Sequence, residues 1–417
     1  MEIRTRFRRW QFRVLLSTIV GYAIFYFVRQ NLPMAMPAMH TTMGIDNEKL
    51  GRLLTLNGLL YGVSKFANGY LGDRANARAM MVVGLAGSAM LNLLFGMSST
   101  LVVLGIIWML NGWFQGMGYP PCARLTTHWF PPKELATKMS IWNTSHSLGA
   151  LLIFILCGYL AAHSGWRACF FVPAGIALAG AWWLWRGLPD TPPSVGLPEV
   201  EGTHAASGLQ TNAQFNSFLL KRVFLNKYVW LVSLSNFFVY TIRYAVVNWG
   251  PTLLTETKHF RIVHAGWMMA GFECAGLIGA LLSGWLADRF FGGRVMRVGV
   301  FYMAMAGLSV FLFWRMPAQG EWLSAGLLCC TGFFIYGPQC LVSIAAANLA
   351  TKRAAATAVG LTSIFGYGST VLSGWGLGWL ERGYGWDAVF KGLLIVAALG
   401  VLVFASCWRA KAHGYDD

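Results

Sequence analysis

Two arginines lie inside otherwise apolar stretches of the sequence, and their side chains are the ones in these stretches best suited to binding a charged ligand. Arg29 follows Tyr26 in the pattern Tyr-x-x-Arg, and Arg243 follows Tyr240 in the same pattern. A cation at the centre of a membrane span costs about 2.5–3.5 kcal/mol on insertion scales, so it needs a compensating role. A guanidinium group can bind two oxygens of one anion at once. The pair therefore predicts an anion site, and bonding to backbone carbonyls or to Glu273 is the alternative.

The balance of charges within the apolar stretches indicates which anion would fit. Arg29, Arg243 and Lys65 supply three positive charges, and Glu273 is the clearest negative charge, which leaves a surplus of +2. A phosphate monoester carries about −1.5 to −2 near neutral pH. The sequence therefore favours a small phosphate ester as the ligand.

A histidine and six tyrosines also fall within apolar stretches. His146 could donate to an anion and titrate near physiological pH; a neutral, hydrogen-bonded core histidine is the alternative. Tyrosine offers a hydroxyl and a ring that suit a sugar or glycerol, while ordinary packing or an interfacial belt is the alternative for most of them. We expect Tyr22, Tyr26 and Arg29 to share one helix face, because they lie at i, i+4 and i+7. The candidate tyrosines are Tyr22, Tyr26, Tyr61, Tyr240, Tyr336 and Tyr367.

The apolar stretches that hold these residues are long enough to cross a membrane. The chain of 417 residues is 56% hydrophobic and 12% charged, whereas soluble domains are about a quarter charged. Roughly 18–20 apolar residues span the hydrocarbon core as a helix, and the alternation typical of barrel strands does not dominate. Hydropathy predicts an all-α membrane protein with about twelve spans. They lie near 14–38, 50–72, 79–97, 100–122, 137–161, 168–186, 228–254, 263–287, 295–314, 322–348, 355–380 and 386–408.

The charge distribution predicts the orientation of these spans. Cytoplasmic termini place 21 Lys and Arg residues in inside segments and 8 in outside segments, as the positive-inside rule requires. The net charge of +16 is therefore attributed to membrane topology, and no nucleic acid partner is expected. The polar, proline-rich stretch 187–227 predicts a cytoplasmic linker. It would join an N-terminal six-helix bundle at 1–186 to a C-terminal six-helix bundle at 228–417.

The two predicted halves repeat each other's motifs in the same order. Duplicated halves place a substrate site near the bilayer midplane, at the repeat interface. We assign the charged residues Asp73, Arg74, Asp288 and Arg289 to gating and stability and not to ligand binding. The repeated pairs are Gly69-x-x-x-Asp73-Arg74 with Gly284-x-x-x-Asp288-Arg289, Tyr26-x-x-Arg29 with Tyr240-x-x-Arg243, Ala136-Thr137 with Ala356-Thr357, and Gly165-Trp166 with Gly385-Trp386.

The sequence lacks the motifs typical of metal binding, disulfide frameworks, ATP binding and intramembrane catalysis. The eight cysteines form no CxxC pattern with nearby histidines, so neither a metal site nor a disulfide framework is expected. The sequence has no GxxxxGK[ST] loop for ATP. Its spans lack the paired carboxylates or clustered histidines of an intramembrane enzyme. We expect no cofactor, no metal and no enzymatic activity.

Several segments together resemble the major facilitator superfamily and, within it, the organophosphate:phosphate antiporters. This resemblance covers nearly the whole chain and implies two six-helix domains that rock around a central site to exchange a phosphate ester for inorganic phosphate. It carries the family's phosphate-binding arginines over to Arg29 and Arg243, its fifth-helix histidine to His146 and its second-helix lysine to Lys65. The segments are Tyr22-Ala-Ile-Phe-Tyr26-Phe-Val-Arg29, Tyr61-Gly-Val-Ser-Lys65-Phe, Gly118-Tyr-Pro-Pro-Cys-Ala-Arg124, Trp142-Asn-Thr-Ser-His146, Tyr240-Thr-Ile-Arg243 and Phe365-Gly-Tyr367.

Two positions depart from the pattern of that family. Relatives often have lysine directly after the first arginine, where this chain has Gln30. They often have aspartate four or five residues after the second arginine, where this chain has Asn248 at the fifth. A neutral pair in place of a charged pair leaves the net charge unchanged, and we expect the two positions to pair across the domain interface.

The segments around Pro121-Cys-Ala-Arg124 and Tyr336-Gly-Pro-Gln339 are most similar to the hexose-phosphate branch of the family. The resemblance therefore favours hexose 6-phosphate as cargo, with glycerol 3-phosphate or phosphoglycerate as alternatives. It implies a monomeric antiporter in a bacterial inner membrane. That branch also contains transporter-like sensors of external hexose phosphate, so a receptor that signals to a membrane kinase partner is the alternative function.

Overall fold

The described part of the protein is helical. The computed structural model describes residues 2–72, 75–200, 217–292, 294–317, 320–350 and 355–410, and these residues contain no β-strand. The predicted all-α class is therefore confirmed for them.

The α-helices of the first half are followed by a short 3₁₀ helix at Pro192–Val195. In the second half, π-helical turns occur at Leu220–Phe224 and Val371–Gly376. The α-helices are α1 Glu2–Phe27, α2 Leu32–Met43, α3 Asn47–Gly72, α4 Ala77–Met97, α5 Leu101–Gln115, α6 Tyr119–Trp129, α7 Pro132–Ser164, α8 Ala168–Gly187, α9 Lys227–Glu256, α10 Ile262–Phe291, α11 Val295–Arg315, α12 Glu321–Ala350, α13 Ala355–Gly368, α14 Leu377–Tyr384 and α15 Trp386–Ser406.

Ten helical stretches within the described residues are long and apolar enough to cross a membrane. Helix α3 has 26 residues but is not among them, and polar residues such as Asn57, Lys65 and Asn68 interrupt its apolar run. The α13–α14 stretch is also absent from the ten, and it is interrupted by a π-helical turn. At about 1.5 Å per residue, both stretches are long enough to span the hydrocarbon core. The predicted twelve spans correspond to the ten apolar stretches together with these two.

Three predicted spans are not continuous helices. The predicted span 14–38 is interrupted at residues 28–31, and the predicted span 100–122 is interrupted at 116–118. Proline favours both breaks, because it has no N–H to donate to the carbonyl four residues earlier. Pro33 cannot donate to Arg29, and Pro120 cannot donate to Gly116. The predicted span 355–380 contains the π-helical turn described above.

The described chain groups into two compact units. Unit 1 comprises Met1–Met43 and Leu56–Gly208, and unit 2 comprises Gly44–Thr55 and Leu209–Asp417. In unit 1, α1 packs on α7 and α4 packs on α8. In unit 2, α9 packs on α13 and α11 packs on α15. The first span thus packs on the fifth and the third on the sixth in each unit, which is the arrangement expected of a duplicated six-helix unit. The predicted limits of the linker and of the two bundles stay predictions.

One repeated motif has a direct backbone explanation. Gly165 ends α7 with φ = 78°, and Gly385 precedes α15 with φ = 75°. Positive φ is a conformation that glycine adopts at no steric cost. The Gly-Trp pair therefore recurs because the same sharp turn joins the fifth and sixth spans of both units.

Candidate functional site

Arg29 lies in the break between α1 and α2, where two tyrosine rings surround its guanidinium group. Its guanidinium carbon is 4.0 Å from the ring centroid of Tyr61 on α3 and 5.5 Å from that of Tyr26 on α1. Both tyrosines are buried, while Arg29 itself is half-buried. Helix α1 ends at Phe27, two residues before Arg29, and the N–H of Gln30 donates to the carbonyl oxygen of Tyr26 at 2.8 Å. The side chains of Tyr22, Tyr26 and Arg29 belong to one cluster.

A second cation of unit 1 also lies over an aromatic face. The ammonium nitrogen of Lys65 is 4.3 Å from the ring centroid of Tyr119, at the start of α6. The Tyr119 ring packs against Trp142 at 5.3 Å between centroids, and Trp142 packs against Tyr22 at 5.0 Å. A continuous aromatic cluster therefore connects Lys65 to the tyrosines around Arg29.

His146 belongs to the same cluster. It is on α7, one helical turn after Trp142, and its ring centroid is 6.1 Å from that of Tyr26. Its Nδ1 forms a hydrogen bond with the carbonyl oxygen of Asn143. The structure thus brings together in unit 1 the predicted residues Arg29, Lys65, His146, Tyr22, Tyr26 and Tyr61.

Arg243 is held in unit 2 by a chain of hydrogen bonds that ends on a carboxylate. Its Nη2 donates to the hydroxyl oxygen of Tyr336 at 3.0 Å. The Tyr336 hydroxyl donates to Oε2 of Glu273 at 2.6 Å. The three residues come from α9, α12 and α10 and are 5%, 3% and 1% exposed. Arg243 is therefore tied to Glu273 through Tyr336, which resembles the bonding that the sequence left open as an alternative to ligand binding.

Tyrosine rings surround Arg243 as well. Its guanidinium carbon is 4.7 Å from the ring centroid of Tyr336, 5.8 Å from that of Tyr244 and 5.9 Å from that of Tyr240. The Tyr240 ring lies 6.2 Å from Tyr367 on α13. Each unit thus holds one predicted arginine among tyrosine rings, where a low dielectric strengthens its attraction for an anion.

The structure gives the positions of four of the remaining predicted residues, and two others lie outside the described residues. Gln30 is buried in the α1–α2 break, and Asn248 is half-buried on α9. Asp288 and Arg289 are exposed near the end of α10. Asp73 and Arg74 lie outside the described residues. The roles predicted for these six residues stay predictions.

Three aromatic residues of the clusters, Tyr119, Trp142 and Tyr244, were not singled out from the sequence as site residues. Tyr119 lies within a segment that carries the family resemblance, and Tyr244 follows Arg243 directly in the chain. Tyr244 could have been proposed as a neighbour of Arg243. The contact of Tyr119 with Lys65 joins α6 to α3, so only the tertiary structure reveals it.

Comparison with known proteins identifies the family. The model of the Major Facilitator Superfamily matches residues 18–374. The chain belongs to this superfamily. It is 36% identical to the "Probable hexose phosphate transport protein" of Chlamydia pneumoniae, over 98% of this chain and 93% of that protein. It is also 36% identical to the "Membrane sensor protein UhpC" of Escherichia coli K12, over 98% of this chain and 95% of that protein.

These relatives also confirm the finer resemblance, so this superfamily member is one of the organophosphate:phosphate antiporter family. A solved bacterial homologue of the human lysosomal transporter Spinster, inward-facing and occupied, has the same fold with a TM-score of 0.75. It is 15% identical over 96% of this chain and 95% of that chain. The protein is therefore a multi-pass membrane transporter by family, and not an enzyme.

Proposed function

We propose that this member of the superfamily is a secondary antiporter that exchanges a sugar phosphate for inorganic phosphate by alternating access. Arg29 and Arg243 bind the phosphoryl oxygens. Lys65 and His146 contribute further donors, and the surrounding tyrosines contact the organic part of the ester. Ion or substrate gradients supply the energy.

The observation that carries this proposal is the placement of one predicted arginine in each unit among tyrosine rings. Arg29 has a tyrosine ring centroid within 4.0 Å and Arg243 has one within 4.7 Å of its guanidinium carbon. Arginine offers paired N–H donors that match phosphate oxygens. Tyrosine hydroxyls and rings suit the hydroxyls and the ring of a sugar.

Hexose 6-phosphate is the proposed cargo, because a relative with 36% identity over nearly its whole length is named a probable hexose phosphate transport protein. Glycerol 3-phosphate and phosphoglycerate remain the alternatives. Both termini are proposed to be cytoplasmic, the membrane to be a bacterial inner membrane and the protein to be a monomer.

The test is uptake of radiolabelled phosphate into phosphate-loaded liposomes that contain the purified protein. Glucose 6-phosphate, glycerol 3-phosphate and 3-phosphoglycerate are compared as competitors. We expect exchange that glucose 6-phosphate inhibits at the lowest concentration, and exchange that the Arg29→Ala variant abolishes. Arg186→Ala is the control, because Arg186 is an exposed arginine at the end of α8 that lies over Trp182. Full exchange by Arg29→Ala would refute the proposal.

A sensor of external hexose phosphate is the second candidate, because an equally similar relative is named a membrane sensor protein. A sensor would bind the ester and report it to a membrane kinase partner without sustained flux. Saturable binding of glucose 6-phosphate in detergent, together with no phosphate exchange in liposomes, would favour the sensor. Rapid exchange would exclude a role limited to sensing.

A further inference from the structure

The break that contains Arg29 leaves a backbone carbonyl in the protein interior without its helical hydrogen-bond partner. Helix α1 ends at Phe27 and α2 begins at Leu32. The last carbonyls of a helix have no partner within the helix and must find one elsewhere. Val28 is fully buried at this end, so water does not serve its carbonyl oxygen. A buried polar group left unpaired in this position would destabilise the folded protein.

Two asparagines on neighbouring helices provide that partner. Nδ2 of Asn92 on α4 and Nδ2 of Asn111 on α5 each donate to the carbonyl oxygen of Val28, both at 3.0 Å. A third asparagine, Asn31, lies within the break itself. Its Nδ2 donates to Oδ1 of Asn92 at 2.8 Å and to the carbonyl oxygen of Cys169 on α8 at 2.9 Å. All three side chains are fully buried.

These hydrogen bonds act on the peptide group that leads into Arg29. The carbonyl of Val28 and the N–H of Arg29 belong to one planar peptide unit, so fixing one end orients the other. The N–H of Arg29 donates to the carbonyl oxygen of Tyr26 at 3.3 Å. The peptide is therefore held at both ends, and the direction in which Arg29 leaves the backbone is fixed by Asn92 and Asn111.

The backbone conformation around Arg243 is different. It lies inside α9, a continuous helix from Lys227 to Glu256, and its side chain bonds Tyr336. An arginine within a helix has its backbone direction set by the helical hydrogen bonds. An arginine in a break needs other hydrogen bonds to fix its backbone direction, and the asparagines provide them at the Val28 carbonyl.

We propose that Asn92 and Asn111 are positioning residues for phosphate binding, which act by fixing the peptide between Val28 and Arg29. This inference rests on the proposed binding of phosphate by Arg29. It assigns a functional role to two buried residues that do not themselves touch the ligand.

The test compares the full-length Asn111→Leu variant with wild type in two measurements. Leucine has the same number of side-chain heavy atoms and the same branch point but no N–H donor, and the Val28 carbonyl retains Asn92, so the fold is expected to survive. Asn111→Ala serves as a second variant if the leucine is not accommodated. Asn236→Leu is the matched control, because Nδ2 of Asn236 also donates across helices, to the carbonyl oxygen of Thr362 at 2.8 Å, but in unit 2.

The first measurement is hydrogen–deuterium exchange of the segment 28–34. We expect exchange to be at least tenfold faster in Asn111→Leu than in wild type and unchanged in Asn236→Leu. Exchange at the wild-type rate would show that the asparagine does not hold the break, and it would overturn the inference.

The second measurement is the equilibrium affinity for inorganic phosphate, in the wild-type and Arg29→Ala backgrounds. We expect Asn111→Leu to weaken binding about tenfold in the wild-type background and to have no further effect once Arg29 is replaced. If Asn111→Leu weakened phosphate binding equally in both backgrounds, the positioning role would be overturned. The same holds if Asn111→Leu had no effect while Arg29→Ala lost affinity; in both cases the proposed role of Arg29 would stand. Wild-type affinity in Arg29→Ala would instead refute the proposed role of Arg29 and the inference with it.

Discussion

The ring of Tyr61 is the closest aromatic face to the guanidinium group of Arg29, at 4.0 Å. A buried cation–π contact is worth about 0.5–2 kcal/mol, which corresponds to roughly 2- to 30-fold in affinity. We expect Tyr61→Leu to weaken phosphate binding by that factor, because Arg29 loses the face that holds it. Tyr61→Phe keeps the ring and should bind phosphate better than Tyr61→Leu. Equal affinities of the two variants, measured by phosphate titration, would contradict a role of the ring.

The hydroxyl of Tyr336 joins Arg243 to Glu273 in unit 2. Removing it in Tyr336→Phe takes one hydrogen-bond donor away from a buried carboxylate, so the free energy of unfolding should fall by about 1–3 kcal/mol. The loss should be smaller in a Glu273→Gln background, because a hydrogen bond to a neutral acceptor is weaker than one to a carboxylate. Both values can be measured by thermal unfolding in detergent.

The control for this prediction is Tyr302→Phe. Tyr302 is fully buried on α11, and its hydroxyl has no hydrogen-bond partner among the described residues. We expect the unfolding temperature of Tyr302→Phe to stay near that of wild type. A loss in Tyr336→Phe that does not exceed the loss in Tyr302→Phe would argue against the bridging role.

At the residue scale, the sequence predicted which side chains gather but not how they are held. Repetition of the Tyr-x-x-Arg pattern and the cost of a cation within a span identified Arg29 and Arg243. The bond from Arg243 to Tyr336 connects residues 93 positions apart, and the bond from Asn111 to Val28 connects residues 83 positions apart. Contacts at such separations depend on helix packing, which periodicity does not encode.

At the scale of single elements, Asp46 illustrates how α3 begins. Its Oδ1 accepts from the backbone N–H of Lys49 at 2.9 Å, and its Oδ2 lies 2.9 Å from Nζ of Lys49. Burial acts to raise the pKa of Asp46, but the hydrogen bonds from Lys49 and the nearby charges of Lys49 and Arg382 outweigh it and lower that pKa. The ionised form therefore stabilises the folded protein.

The sign of this effect predicts a pH dependence. A carboxyl group whose pKa is lower in the folded than in the unfolded protein stabilises the fold at pH values above its unfolded pKa, which is about 3.9. That stabilisation is lost as the pH falls through the pKa of the folded protein. Asp46→Asn keeps a capping oxygen without the charge, so its unfolding temperature should lie below that of wild type at pH 7 and approach it below about pH 4. Asp46→Ala loses the cap as well and should cost about 1 kcal/mol more. A gap between wild type and Asp46→Asn that is independent of pH would contradict this account.

The positions of most helices could be predicted from hydropathy, but their interruptions could not. The predicted span 14–38 holds enough apolar residues to appear continuous, and its prolines, Pro33 and Pro37, are compatible with a kinked helix. A break also leaves the carbonyl of Val28 without its helical partner, so this buried carbonyl needs another donor. Asn92 and Asn111 supply donors from other helices, so the local sequence did not reveal the break.

At the scale of the whole molecule, the duplication was the most predictable feature. Four motifs recurred in order in the sequence, and the pairing of first with fifth and third with sixth spans recurs in both units. The two units are nevertheless chemically unequal. In unit 1 the cations Arg29 and Lys65 lie over tyrosine rings, whereas in unit 2 Arg243 is bonded through Tyr336 to the carboxylate of Glu273. The two units of the duplicated fold therefore hold their arginines differently, by contacts with tyrosine rings in unit 1 and by hydrogen bonds to a carboxylate through Tyr336 in unit 2.

We propose that Arg29 and Arg243 bind the phosphoryl group. Equilibrium binding of inorganic phosphate to the purified protein is the sharpest test, because binding needs neither flux nor a signalling partner. We predict that Arg29→Ala and Arg243→Ala each weaken binding at least tenfold, while Arg186→Ala binds as wild type does. Wild-type affinity in either of the first two variants, with the protein folded, would contradict the claim.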